Sequence, residues 1–266
     1  MSSPRVKEDT LVLYYKEINA SSSNSTILLI HGAFSSGAEW DLVTPYLSDA
    51  YHLLLPDLPA HGRSEDVVPF SKELSARLLA ELIGERALGG KAHVIGISLG
   101  AHVAIELASK YPQIVSAVFV SGYEVFASSQ NIALGLWVSN RIESAIPRPV
   151  VRWLMDDTDI LPGNCSLSLS RAVAQALCIN EEQWPSPWPA RTLIVAAGKS
   201  GILPTADHPQ DAIKLWDIGR KANKDSKAYT HADMRHPWNR QAPELFAQTA
   251  KKWFEQAVVP DGFKEL

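Results

Sequence analysis

Short runs of apolar residues alternate with amphipathic stretches along most of the chain, the pattern of a mostly parallel sheet covered by helices. Leu11–Tyr15 opens the series as a strand, and the Ser/Asn cluster at 19–26 is a polar turn. Thr26–His31 is a buried strand, too short and too β-branched for a helix. Further strands are expected at His52–Pro56, Ala92–Ile97, Ala117–Ser121 and Thr192–Ala197, with a weaker last one at Lys227–Thr230. Between them, residues 71–87 place Leu74, Leu78, Leu82 and Ile83 on one helical face. A second helix runs from Leu99 to Lys110 and stops at Tyr111-Pro112, residues 208–223 look helical, and a closing helix occupies 243–257 with Pro243 in its first turn.

The alternation breaks down between residues 124 and 190. That stretch is helix-like in its middle and carries Trp137, Trp153, Trp184 and Trp188, half of the eight tryptophans. It ends in Trp184-Pro185-Ser186-Pro187-Trp188-Pro189, where three prolines forbid regular structure. The organisation expected is a core of 1–124 and 190–266 with a helical cap of 125–189 inserted into it. The fold class is α/β, a doubly wound and mostly parallel sheet.

Composition narrows the classes open to it. With 266 residues and 46% hydrophobic content the chain can bury one sizeable core. The net charge of −4 is spread without like-charge blocks, which argues against nucleic acid as a partner. No apolar run approaches the roughly 18 residues of a membrane span, and none follows Met1 as a secretory leader would require. Cys165 and Cys178 are too few for a disulfide framework and read as free thiols, so a cytoplasmic protein is expected, and the sequons at Asn19, Asn24 and Asn164 as chance. Neither a metal cluster, a dinucleotide glycine motif nor a P-loop is present, so no cofactor or metal is expected.

Chemistry concentrates at Gly96-Ile97-Ser98-Leu99-Gly100, between a strand and a helix. A sharp strand-to-helix turn forces its central residue into a strained conformation, and glycines two before and two after relieve the crowding. The turn would lift the Ser98 hydroxyl above the sheet at a helix N-terminus, where free N–H groups favour a developing anion. Acyl transfer needs two backbone N–H groups facing the oxyanion. Leu99 supplies one, and the turn His31-Gly32-Ala33-Phe34 the other, through Ala33 or alternatively Phe34. His31 reads as a structural brace of that turn.

These motifs resemble those of the α/β-hydrolase superfamily. His31-Gly32, Pro56-Asp57-Leu58-Pro59-Ala60-His61-Gly62-Arg63-Ser64, the elbow around Ser98, and His236 ahead of Pro243-Glu244-Leu245-Phe246 occur in the family's order, covering 26–122 and 192–256. The resemblance implies that Ser98 is the nucleophile and His236, seven residues before Pro243, its general base; His208 and His231 lack that spacing. It implies a structural loop at Asp57, His61 and Arg63. An imidazole in this role would titrate at roughly 6–7.5.

The chain departs from the family at the acid, which stands three residues after the glycine that ends the strand at 192–197. Here Gly201 holds that place. The catalytic carboxylate is then Asp207, Glu124 or absent, with Asp207 taken first because Pro204 could bend the loop back towards His236. The activity implied is hydrolysis of a carboxylic ester, thioester or lactone through an acyl-enzyme on Ser98. Alternatives are a non-hydrolytic lyase, acyl transferase or cyclase, or a receptor or scaffold without turnover. A cap rich in tryptophan points to a small, fairly apolar substrate as the one partner, met by Phe34, Trp137 and Trp153.

Overall fold

The computed structural model describes residues 11–21, 25–127, 131–161, 163, 165–200 and 205–266. Gly201 and Pro204 of the loop before Asp207, and Asn24 and Asn164 of the sequons, lie outside the described residues. Eight strands form one sheet: β1 (Tyr15–Ile18), β2 (Thr26–Ile30), β3 (His52–Pro56), β4 (Ala92–Ile97), β5 (Val115–Ser121), β6 (Arg191–Ala197), β7 (Lys227–His231) and β8 (Phe263–Glu265). Their spatial order is β1-β3-β2-β4-β5-β6-β7-β8, parallel throughout except at the two edges, where β1 runs antiparallel to β3 and β8 to β7.

The inner strands are continuous apolar runs because both their faces are covered. Alternate side chains feed two separate cores. Leu28, Ile30, Val94, Val118 and Ile194 point to one; Ile27, Leu29, Ile95, Phe119 and Val195 point to the other.

Nine α-helices occur among the described residues: α1 (Thr44–Leu47), α2 (Lys72–Arg86), α3 (Leu99–Lys110), α4 (Ile132–Ala145), α5 (Arg148–Leu154), α6 (Leu167–Leu177), α7 (Pro209–Gly219), α8 (Trp238–Gln241) and α9 (Pro243–Phe254). Helices α2, α3 and α7 cover the first face, and α1, α8 and α9 cover the second with Leu47, Trp238 and Phe246. α2 begins where it does because the Ser71 hydroxyl accepts the Leu74 N–H. Helices α4, α5 and α6 fill the stretch between β5 and β6. None of the helices described is long and apolar enough to cross a membrane.

Three departures from the sequence pattern have local causes. The first strand is Tyr15–Ile18, not Leu11–Tyr15; Tyr14 is instead tied to a loop, its N–H on Ser64 Oγ and its carbonyl on the Asp57 N–H. β8 went unpredicted because three residues are too few to show a period. Trp188, which the broken pattern groups with the other tryptophans of the insertion, packs into the core: wholly buried, it donates to Thr192 Oγ1 at 2.7 Å and lies where a Cβ on Gly219 would sit, 2.8 Å from its ring.

Candidate active site

β4 delivers the chain to Ser98 at φ 54° and ψ −122°, a left-handed conformation costly for a residue with a Cβ, and α3 starts at the next residue. Two glycines make the turn possible. A Cβ on Gly96 would lie 2.3 Å from the Gly100 carbonyl oxygen, and one on Gly100 would lie 2.3 Å from that of Ile30. The Ser98 N–H donates to the Ser121 carbonyl at 2.9 Å, fixing the elbow to the end of β5. Leu99, the first helical residue, keeps an N–H with no partner inside the helix.

Next to the elbow, the turn after β2 is held by side chains on both peptides of Gly32. His31 Nε2 accepts the Leu58 N–H at 2.9 Å, so its Nδ1 carries the proton and donates to the Gly32 carbonyl at 2.7 Å. Burial and the neighbouring His61 push this imidazole down to about 3, so it stays neutral and the tautomer is fixed. Because a trans peptide places its C=O and N–H on opposite sides, anchoring the Gly32 carbonyl also sets the direction of the Ala33 N–H. The preceding peptide is held by Glu39, whose Oε2 accepts the Gly32 N–H at 2.8 Å. Phe34 follows with φ 60°, and its carbonyl abuts the backbone of Gly163, where a Cβ would clash at 1.5 Å.

His236 follows β7 on a loop whose own backbone is bonded, its N–H donating to the Thr205 carbonyl at 2.8 Å. The ring stands over Gly122, one residue beyond the Ser121 that holds Ser98; a Cβ there would lie 2.6 Å from Cε1, and φ is 67°. His236 Nδ1 and Asp207 Oδ1 are 2.6 Å apart. Asp207 is 5% exposed. Its other oxygen accepts the Ala197 N–H at 2.7 Å, while its own N–H returns to the Ala197 carbonyl at 2.8 Å. Both bonds hold Asp207 beside the end of β6.

Glu124, the other candidate acid, accepts instead from His208, at 3.2 Å from its N–H and 3.3 Å from Nδ1. Burial pushes its carboxyl above the ordinary range. Burial alone would depress His236, but the charge and hydrogen bond of Asp207, then Glu124 and Glu39, outweigh it and raise the imidazole to about 9. That is higher than the 6–7.5 expected for an imidazole with one partner, because three carboxylates surround it. Atoms of Glu124, Asp207 and His236 lie within 4.8 Å of one another, a spacing a metal ion could use; their hydrogen bonds to each other, to Ala197 and to His208 already engage them.

The remaining expected residues are dispersed. Trp137, on α4, is half-buried under Arg141, whose guanidinium lies 5.3 Å from its ring. Trp153, on α5, is 75% exposed and lines an open groove with Pro149, Arg152 and Asp156, a lining that does not include Ser98, Asp207 or His236. A cavity of about 490 Å³ lies between α4 and α5, bordered by Ile142, Ile146, Val151, Leu154, Met155 and, on the His236 side, Thr205. Sequence reasoning missed this lining because a cavity is made by the angle between two helices. It missed Glu39 and Gly122 because Asn239 and His236, which they meet, are far away in the chain.

Comparison with known proteins adds to this geometry. Residues 27–250 match the profile of the alpha/beta hydrolase family. An AB hydrolase superfamily protein of Gibberella zeae is 38% identical over 258 residues, 96% of this chain and 88% of its own length. Among solved structures, a marine microorganism esterase superposes with a TM-score of 0.67 at 18% identity, over 92% of this chain and 99% of its own. An esterase of Thermogutta terrifontis gives 0.66 at 21%, over 92% and 93%.

Proposed function

Given that the chain belongs to the alpha/beta hydrolase family, we propose that it is a serine hydrolase cleaving a carboxylic ester, thioester or lactone of a small, fairly apolar molecule. Ser98 Oγ attacks the carbonyl carbon while His236 Nε2 takes its proton. The N–H groups of Leu99 and Ala33 receive the oxyanion, and Asp207 holds the imidazole by Nδ1 and stabilises the imidazolium. The alcohol or thiol departs with the proton from His236, leaving an acyl-enzyme. Water, deprotonated by the same imidazole, then releases the acid and restores Ser98.

The observation that carries this reading is the hydrogen bond of 2.6 Å from His236 Nδ1 to a buried carboxylate, since it engages Nδ1 and leaves Nε2 to take a proton. The fold of two esterases supports the fold assignment only. We read α4, α5 and α6 as a cap whose apolar cavity receives part of the substrate, with the reaction running in the cytoplasm without a cofactor.

The test is pre-steady-state kinetics on 4-nitrophenyl esters of increasing acyl length, with intact-protein mass measured during turnover. A burst of nitrophenol and one acyl adduct on Ser98, both absent in Ser98→Ala, are expected. Acyl transfer to an added alcohol in place of free acid would favour a transferase. Neither burst nor adduct on any ester would overturn the proposal.

A further inference from the structure

We propose that Glu39 is a positioning residue that aims the oxyanion loop at Ser98 and locks it to the loop carrying His236, through one hydrogen bond to each. The inference rests on the serine-hydrolase reading and goes beyond it to a residue outside the nucleophile, base and acid.

Glu39 sits in a 3₁₀ turn, Gly37–Trp40, which Ser36 caps and the wholly buried Trp40 anchors against Phe246 at 5.6 Å between ring centroids. A buried carboxyl is costly unless its oxygens are bonded, and here both are. Oε2 accepts the Gly32 N–H at 2.8 Å, and Oε1 accepts from Asn239 Nδ2 at 3.3 Å. Asn239 is wholly buried, three residues after His236, and its own Oδ1 has no partner. Glu39 is therefore the anchor of that side chain. The Glu39 carbonyl also accepts from Arg240 Nη1 at 2.8 Å, a second tie to the same loop.

The placement matters because Gly32 stands between Glu39 and the nucleophile. A Cβ built on Gly32 would be 3.5 Å from Ser98 Cβ and 3.6 Å from Glu39 Oε2. Glycine has the freest backbone of any residue, so the two peptides that meet at Gly32 would turn easily if left alone. His31 pins the second by its carbonyl, and Glu39 pins the first by its N–H. With both fixed, neither peptide can turn and the Ala33 N–H keeps one direction. An oxyanion donor works by being aimed before the charge develops.

Three variants separate reach from charge. Glu39→Gln keeps the length and an acceptor oxygen, Glu39→Asp keeps the charge one methylene too short, and Glu39→Leu keeps the volume alone. Each is assayed for kcat and KM on a 4-nitrophenyl ester, for affinity towards an aryl boronic acid, and for thermal unfolding. Glu39→Leu is expected to lose about 10²–10³-fold in kcat, the cost of removing one oxyanion donor. KM should move little, and boronate affinity should fall with kcat. Glu39→Gln should restore both and Glu39→Asp should not. That ranking decides the question even if Glu39→Leu fails to fold. Wild-type kcat in Glu39→Asp, or equal losses in Glu39→Asp and Glu39→Gln, would overturn the assignment. If the wild-type protein takes no fluorophosphonate on Ser98, the hydrolase reading itself falls; labelling of the wild type with unchanged kcat in all three variants removes only the role of Glu39.

Discussion

His236 meets its surroundings through two nitrogens, and the carboxylate on Nδ1 decides what the other can do. Asp207→Asn keeps the shape of that contact but favours the wrong tautomer, and should cost about 10⁴ in kcat. Because the imidazole is raised to about 9, it is protonated at neutral pH and cannot accept from Ser98 until the pH climbs. The pH–rate profile should therefore rise towards an apparent pKa near that value. Glu124 contributes to the elevation, so removing its charge in Glu124→Gln should shift the rise to lower pH. A profile already flat above pH 7 would contradict the three-carboxylate environment. Ser98 was legible in the sequence because the glycines that permit its turn are two residues away on either side. Asp207 was only one of several options, since it stands further from Gly198 than the family spacing and the two bonds that tie it to Ala197 are tertiary. Glu39 was not legible at all, its partners lying 7 and 200 residues away.

At the scale of elements, the same residue type has opposite effects according to what surrounds it. Gly100 in α3 lies against the backbone of β2, so Gly100→Ala must push helix and sheet apart and should destabilise by about 1–3 kcal/mol or more, as overpacking does. Gly84 in α2 has nothing within 4 Å of its would-be Cβ, and Gly84→Ala should stabilise by about 0.4–1 kcal/mol. Denaturant unfolding of both proteins checks the signs. Buried strands were readable from their unbroken apolar runs, and α3 from its flanking serine and proline. Edge strands were not: β1 is displaced by four residues and β8 is three residues long, because an edge strand is fixed by its partner more than by its own pattern. The tryptophans of residues 125–189 also misled as a group, since Trp188 is core and Trp153 is surface.

For the whole molecule, the stretch between β5 and β6 is stitched to the loop that carries His236. Arg235 pairs with Asp156 at 2.6 Å, and Arg240 bonds the Asp159 carbonyl and, at 3.6 Å, its carboxylate. The α4–α6 stretch and the loop carrying His236 are therefore mechanically joined, and the cavity between α4 and α5 is bordered by Thr205, whose carbonyl accepts the His236 N–H. Val151→Ala or Leu154→Ala should change the acyl length preferred in a series of nitrophenyl esters, yet leave the rate of covalent labelling nearly as it was. The central claim, a nucleophilic Ser98 activated by His236, is tested most directly by reacting the protein with a fluorophosphonate and mapping the adduct by peptide mass. One adduct per chain on Ser98 is predicted, absent from Ser98→Ala and formed far more slowly in His236→Ala. Equal labelling of the wild type and Ser98→Ala would contradict it.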